Sequence, residues 1–367
     1  MISSSAAARD RREPGAQPAI PDARIDSAGV VAIASESEAA AWDAFVGSRA
    51  DATGYHLWAW RRVFVRAFRH EPIYLIARRG DRVTGILPLV QINSLLFGRT
   101  LTSLPFLNYG GVLAQADDVA RQLVDKAAEI ARLRRCRHVE LRHVSRRFTH
   151  LPCRQHKVAM VLPLERDMWS RLDRKVRNQI RKAQKSDLTV DRGGAELRAD
   201  FYAVFARNMR DLGTPVYSPR LFDEVLATFA DRTTVHVVRR HGRPIAAGLA
   251  YRRAGMVEVP WASSNRDYNS LCPNHLLYWN VIEAAVDDGC AMLDFGRSTP
   301  GEGTFKFKEQ WGAQPVPLHW EYHLIDGASV PDVSPANRKY RLAIEMWKKL
   351  PVPLATRLGP RIVRGIA

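Results

Sequence analysis

Two stretches of this chain carry the same kinds of element in the same order, and a repeat of that kind limits the fold before any single residue is read. Residues 73–90 hold two apolar, β-branched runs, and residues 235–250 hold two more. Each pair is joined through an Arg-Arg pair, a turn glycine and a further arginine, so each stretch predicts an antiparallel hairpin. Arg82 and Arg243 correspond, 161 residues apart (243 − 82). Downstream, a helical pattern over 117–134 leads into a strand run starting at Cys136, and one over 273–289 leads into a run starting at Cys290, 154 residues apart (290 − 136). Tandem duplication accounts for both offsets. Each copy then reads as helices, a hairpin, and a helix crossing over to another strand. The fold class is α/β (α+β), with mixed, largely antiparallel sheets flanked by helices.

A chain of 367 residues exceeds what one core fills, which agrees with two units. The divisions expected are a disordered leader at 1–22, a first unit at 23–165, a second at 166–330 that begins with a basic connecting helix, and a basic amphipathic tail at 331–367. The leader lacks the apolar core of a signal peptide. Nowhere do 18 apolar residues run together, so no spanning helix is expected. Four dispersed cysteines without a Cys-x-x-Cys pair argue against a metal centre or a disulfide framework and fit a reducing cytoplasm. The formal charge of +17 favours an anionic donor or acceptor: nucleotide-, lipid- or tRNA-linked.

Function concentrates in residues 294–313, where Asp-Phe-Gly-Arg-Ser-Thr-Pro-Gly-Glu-Gly-Thr-Phe-Lys-Phe-Lys-Glu-Gln-Trp-Gly-Ala mixes glycines, cations, hydroxyls and aromatics as no plain core strand would. A buried strand ending near Phe295 would pass into a glycine-rich turn presenting Arg297, Lys306 and Lys308. Such a turn suits a phosphate, a carboxylate or the oxyanion of acyl transfer. Ordinary solvated lysines on a surface hairpin are the bland alternative. Trp261, Tyr268, Tyr278 and Trp311 read either as an aromatic wall for a sugar or base or as core.

Two further segments are strongly basic. From 166 to 187 eight Lys/Arg face three Asp on a helical pattern whose apolar stripe is Trp169, Leu172, Val176, Ile180 and Ala183. Arg177, Arg181 and Lys182 lie there without acidic i+4 partners, as an anion site or a solvated face. From 338 to 367 eight Lys/Arg face Glu345 alone, among Leu342, Met346, Trp347, Leu350, Leu354, Leu358 and Ile362. That mixture suits either peripheral contact with an anionic membrane, on the inner face of the inner membrane, or a helix docked on the body, with Pro351, Pro353 and Pro360 expected to break it.

Several motifs together resemble the FemAB-type (peptidoglycan-bridge-like) branch of the GNAT acyltransferase superfamily, close to the FemAB-related proteins of exosortase/PEP-CTERM gene sets in Gram-negative bacteria. They are Leu104-Pro-Phe-Leu-Asn-Tyr-Gly-Gly-Val, Lys175-Val-Arg-Asn-Gln-Ile-Arg-Lys-Ala, Gly213-Thr-Pro-Val-Tyr-Ser, Pro273-Asn274 opening a helix, Asp294-Phe-Gly-Arg-Ser and Phe305-Lys-Phe-Lys-Glu-Gln-Trp-Gly-Ala. The resemblance implies tandem GNAT-like (acyl-CoA N-acyltransferase) subdomains and transfer of an acyl or aminoacyl group to an amine of a cell-envelope or exopolysaccharide precursor. Phe307 and Lys308 match the family's Phe-Lys pair, and Arg177 and Arg181 are nearest to its phosphate-binding cations. The motif residues Asn108, Tyr109, Tyr217 and Asn274 join the candidate substrate site. The donor stays open among acyl-CoA, acyl-carrier protein and aminoacyl-tRNA. Before Pro273 the chain lacks the Gln/Arg-x-x-Gly-x-Gly/Ala loop that wraps a coenzyme A pyrophosphate, and it lacks a long tRNA-gripping coiled-coil arm.

The expected chemistry has Lys308 stabilise the oxyanion, with Phe307 on the opposite side of an extended backbone anchoring the strand. Arg297, Ser298, Ser263 and Ser264 would hold donor or acceptor oxygens. Asp294 or Glu309 would take the amine proton, or acceptor phosphate would. Two rivals stand beside this: an anion-binding protein for nucleic acid or a membrane surface on the same scaffold, and a coenzyme A-dependent sugar-amine acetyltransferase.

Overall fold

The repeat is visible in the strands. In this computed structural model, which describes residues 29–94, 97–331 and 338–366, Glu71–Arg79 pairs antiparallel with Arg82–Ser94, and Thr233–Arg240 pairs antiparallel with Arg243–Arg253. Both hairpins shift register just before the turn, at Ala77/Arg78 and at Val238/Arg239. Both turn through a glycine at positive φ, +58° at Gly80 and +76° at Gly242, where a side chain would be strained. Helix Asp117–Leu133 lays Ala120, Leu123 and Ala127 over the first hairpin, and helix Pro273–Asp287 lays Leu277 and Val281 over the second. The leader expected at 1–22 lies outside the described residues.

After each crossover helix a strand enters parallel to an inner neighbour, His138–His143 beside Gly98–Thr102 and Met292–Ser298 beside Met256–Ser264. The chain is therefore α/β with two mixed sheets, of eight and seven strands among the described residues.

Sheet membership does not follow chain order. Val158–Pro163 pairs antiparallel with Met292–Ser298 in the second sheet, while His319–Leu324 returns to pair with His138–His143 in the first. Glu321 on the returning strand is fully buried, accepting from Phe148 N at 2.6 Å with His143 Nδ1 at 2.6 Å. A carboxylate held by two donors in a dry site fixes the crossing strand. The largest apolar cluster draws on both units, running from Trp42, Tyr74 and Phe64 to Phe201, Phe222 and Trp261. The two units share a core.

Two local expectations are corrected. The basic connector is two helices, Met168–Arg171 and Arg174–Gln184, because Asp173 leaves the helix and caps the second, accepting from Lys175 N at 2.7 Å. In the tail, Pro351 and Pro353 start helix Val352–Val363 instead of breaking it, since the first turn has no N–H partners to lose, and Pro360 is accommodated near its end. No helix among the described residues is long and apolar enough to cross a membrane.

Candidate active site

The inner strand pair of the second sheet is parallel only over Met256–Glu258 and Met292–Asp294. Beyond that point Met256–Ser264 keeps its bonds to Arg243–Arg253, Met292–Ser298 keeps its pairing with Val158–Pro163, and Gly296 at φ +77° takes up the register shift in that pairing. Glu258 and Asp294 are register partners at the last paired position, 4% and 1% exposed. Two carboxyls thus face a low-dielectric wedge side by side.

Their partners come from the first unit. Segment 104–112 carries Leu104 and Phe106 at positive φ (+51° and +71°), uncommon for such residues, and this strained run delivers Asn108 and Tyr109. Asn108 Nδ2 donates to Glu258 at 2.8 Å, and the Tyr109 hydroxyl donates to Asp294 at 2.8 Å. The Tyr55 hydroxyl donates to Glu258, and Gly296 N to Asp294 at 2.7 Å.

Burial pushes the Glu258 carboxyl up to about 8, and the charge of Asp294 adds to the shift. Asp294 is raised as well, by burial, against the pull of the Tyr109 and Gly296 donors and of the Lys308 charge. Two adjoining carboxyls cannot both ionise cheaply, so near neutrality the pair holds a shared proton. A cleft of about 620 Å³ opens on it, lined by Glu258, Asp294, Ala159 and Val161 of the second sheet and by 47–54, Tyr109 and Val144 of the first unit. The cations in this lining are already engaged: Arg49 with Asp51, and Arg253 with the carbonyls of Ala52 and Val46.

Lys308 sits on helix Gly303–Glu309, where an extended strand was expected. Gly303 and the glycines before it end the strand, and the Phe-Lys-Phe-Lys-Glu run then winds. Phe307 consequently does not face the opposite side of a strand; it packs on His275, Tyr278 and Trp311, with ring centroids 5.1 to 6.2 Å away. The Lys308 ammonium is buried and donates to Gly296 O at 2.9 Å and Arg297 O at 3.2 Å, leaving one N–H uncommitted among the described residues. Burial lowers it to about 8, with Asp294 opposing and Arg297 reinforcing the shift. A cation and a carboxyl pair thus bracket the bend at Gly296.

The other expected residues fall into separate places. Arg297 stacks over the Trp320 ring, centroid 5.5 Å away, while Arg142 covers the same ring at 4.2 Å, and burial with this like charge lowers Arg297. Tyr217 is close enough to feel both guanidinium charges. Ser298 is buried next to Arg297, its Oγ without a hydrogen-bond partner among the described residues. Ser263 accepts from Asn208, and Ser264 accepts from Asn274 at the start of helix Pro273–Asp287. Trp261 packs edge-on to Phe222 as core, and Trp311 and Tyr278 form a buried aromatic cluster. Lys306 and Glu309 are exposed. Arg181 covers Trp169, while Arg177 and Lys182 make no ion pair among the described residues. This basic helix packs on Pro273–Asp287, whose His275 abuts Phe307, so it stands one helix away from Lys308.

The sequence reading missed Glu258 and Tyr55. Glu258 had a signal: one acid between Val257 and Val259 in an apolar run that a flanked sheet must bury. Tyr55 had none.

Set against known proteins, residues 170–309 match the family model of the GNAT acetyltransferase domain, an interval running from the basic helix to just past Lys308. No functionally curated protein matches the sequence. The fold is similar to that of FemX (TM-score 0.61, 13% identity, covering 86% of this chain and 100% of that one). It is also similar to the C-terminal domain of a putative lysylphosphatidylglycerol synthetase from Agrobacterium fabrum (TM-score 0.55, 11%, 78% and 91%). A third likeness is to a tandem GNAT protein from the clavulanic acid biosynthesis pathway (TM-score 0.53, 9%, 83% and 99%).

Proposed function

We propose, on the premise that this chain is a tandem GNAT-fold protein of the FemX-like kind with a GNAT acetyltransferase domain in its second half, that it transfers an aminoacyl or other acyl group to a primary amine bound in the inter-unit cleft. One observation carries the reading: a proton-sharing carboxyl pair, Glu258 and Asp294, faces that cleft at the strand divergence, and the Lys308 ammonium is fixed at the end of the same strand. The amine arrives as ammonium, is drawn by the carboxyl pair, and gives up a proton to the carboxylate. Its nitrogen bonds to the donor carbonyl carbon, and charge develops on the carbonyl oxygen. The uncommitted N–H of Lys308 donates to that oxygen, and the nitrogen, still carrying one proton more than an amide keeps, releases it to water in the cleft. The bond from carbon to the donor's oxygen or sulfur then breaks, and the pair returns the first proton to the leaving group. The basic helix face at Arg177, Arg181 and Lys182 suits the anionic part of the donor or acceptor.

An aminoacyl donor is supported, at the level of fold analogy, by the FemX and putative lysylphosphatidylglycerol synthetase likenesses, and an amine on a cell-envelope or exopolysaccharide precursor by the motif resemblance. The acetyltransferase family match favours a second reading, coenzyme A-dependent acetylation of a sugar amine. Incubating the full chain with labelled aminoacyl-tRNA, acyl-carrier protein or acetyl-CoA plus an amine acceptor separates them. Label reaches the amine from one donor, and Glu258→Gln, isosteric and still able to accept from Tyr55 and Asn108, lowers kcat about 10²- to 10⁴-fold. Transfer undiminished in Glu258→Gln would sink the mechanism.

A further inference from the structure

The last two helices, Arg338–Lys348 and Val352–Val363, touch both units yet leave an apolar stripe uncovered. They are firmly docked on one side. Ala355, Gly359 and Val363 are buried; a Cβ on Gly359 would sit 2.4 Å from Val216 O, so the backbones are in contact. Arg210 donates to Leu350 O at 2.8 Å, and Arg364 donates to Arg69 O at 3.2 Å. On the other side Leu342, Met346, Leu354, Leu358 and Ile362 are 71, 63, 42, 37 and 39% exposed. They make up five of the twelve exposed large hydrophobics among the described residues, in a segment that is a small fraction of the chain. So dense an apolar surface marks a contact site.

Helical geometry orders three sectors around Val352–Val363. At about 100° per residue, the docked stripe of Ala355, Gly359 and Val363 adjoins the exposed stripe of Leu354, Leu358 and Ile362, and Arg357 and Arg361 follow on its far flank. Leucines with arginines at their edge match an interface in which apolar side chains enter acyl chains and guanidinium groups stay among the headgroups. The sole acid of the two helices, Glu345, is bonded to Lys348 at 2.7 Å. A second copy would bring the same positive charge against itself, and a nucleic acid would have no use for the leucines. We infer that this face docks the protein on an anionic phospholipid bilayer, as a peripheral attachment independent of the transfer chemistry proposed above.

Co-sedimentation of the full chain tests this with vesicles of phosphatidylcholine alone and of phosphatidylcholine mixed with phosphatidylglycerol. Binding is expected to the mixed vesicles only, and to fall as salt rises. The triple variant Leu354→Ser, Leu358→Ser, Ile362→Ser is expected to abolish binding while its melting temperature stays that of the parent, because the three side chains are exposed. Arg357→Glu with Arg361→Glu is expected to weaken binding by roughly 25-fold or more, at about fivefold per lost cation. Failure to bind the mixed vesicles, or full binding by the triple variant, overturns the proposal. So does RNA binding that the triple variant retains while vesicle binding is absent, or a dimer that the triple variant dissolves.

Discussion

The two units part their inner strands in the same way and fill the gap differently. In the first, Gly98–Thr102 and His138–His143 are parallel only at Leu101/Val139 and Thr102/Glu140; in the second the last pair is Glu258/Asp294. Glu140 and Asp294 are themselves 154 residues apart (294 − 140), the offset of the repeat. Glu140, however, receives Arg142 Nε at 2.7 Å, and Arg142, 1% exposed, also holds the carbonyl of Leu107. Segment 103–112 occupies the space, with Ser103 N bonded to Glu140 O and Gly110 N to Arg142 O. The position equivalent to Arg142 is Gly296, which has no side chain to neutralise Asp294. The first divergence is therefore a closed ion pair that holds a loop, and the second is a carboxyl pair that opens on the cleft. Duplication supplied one wedge as a support, and its loop lends Asn108 and Tyr109 to the other.

The contrast can be broken most severely at Arg142. Arg142→Met strands a buried Glu140 and should cost about 3–5 kcal/mol in denaturant unfolding, while the double variant with Glu140→Leu recovers most of it. An equal cost for Glu258→Gln would erase the distinction. Next, Lys308→Ala should leave stability near that of the parent and lower kcat about 10²- to 10³-fold, as for loss of one oxyanion donor. A pH profile sharpens the contrast further. The carboxyl pair must lose a proton and Lys308 must keep one, so kcat/KM should form a narrow bell centred near 8, with the acid limb moved to lower pH in Glu258→Gln. The smallest effect is on folding. Glu258 is raised from 4.5 to about 8, so the native state binds the extra proton, and stability falls as pH rises through that window. Glu258→Gln should match the parent in acid, overtake it as the pH rises past about 4.5, and hold its full advantage above about 8.

Much of this architecture was legible because it rests on local pattern. Hairpins around Gly80 and Gly242 follow from β-branched runs flanking residues that tolerate positive φ, and the helices at 117–133 and 273–287 follow from their period. The repeat then implied two units. The motif at 294–308 supplied Asp294 and Lys308 of the candidate site, and the loop at 104–112 supplied Asn108 and Tyr109. Lys308 was assigned to the wrong element, since a seven-residue segment between glycines has no periodicity to separate helix from turn.

What the sequence determined by itself was a doubled α/β chain of net positive charge, with a candidate site near Asp294. Only the tertiary structure decided that His319–Leu324 returns to the first sheet and that Val158–Pro163 joins the second. Tertiary contacts alone, too, set Glu258 against Asp294 and brought Tyr55 from about 200 residues away to bond it. Pairing between distant strands depends on how whole faces pack, and the proton affinity of a carboxyl depends on what shuts out its water. Neither is written in the residues next to it.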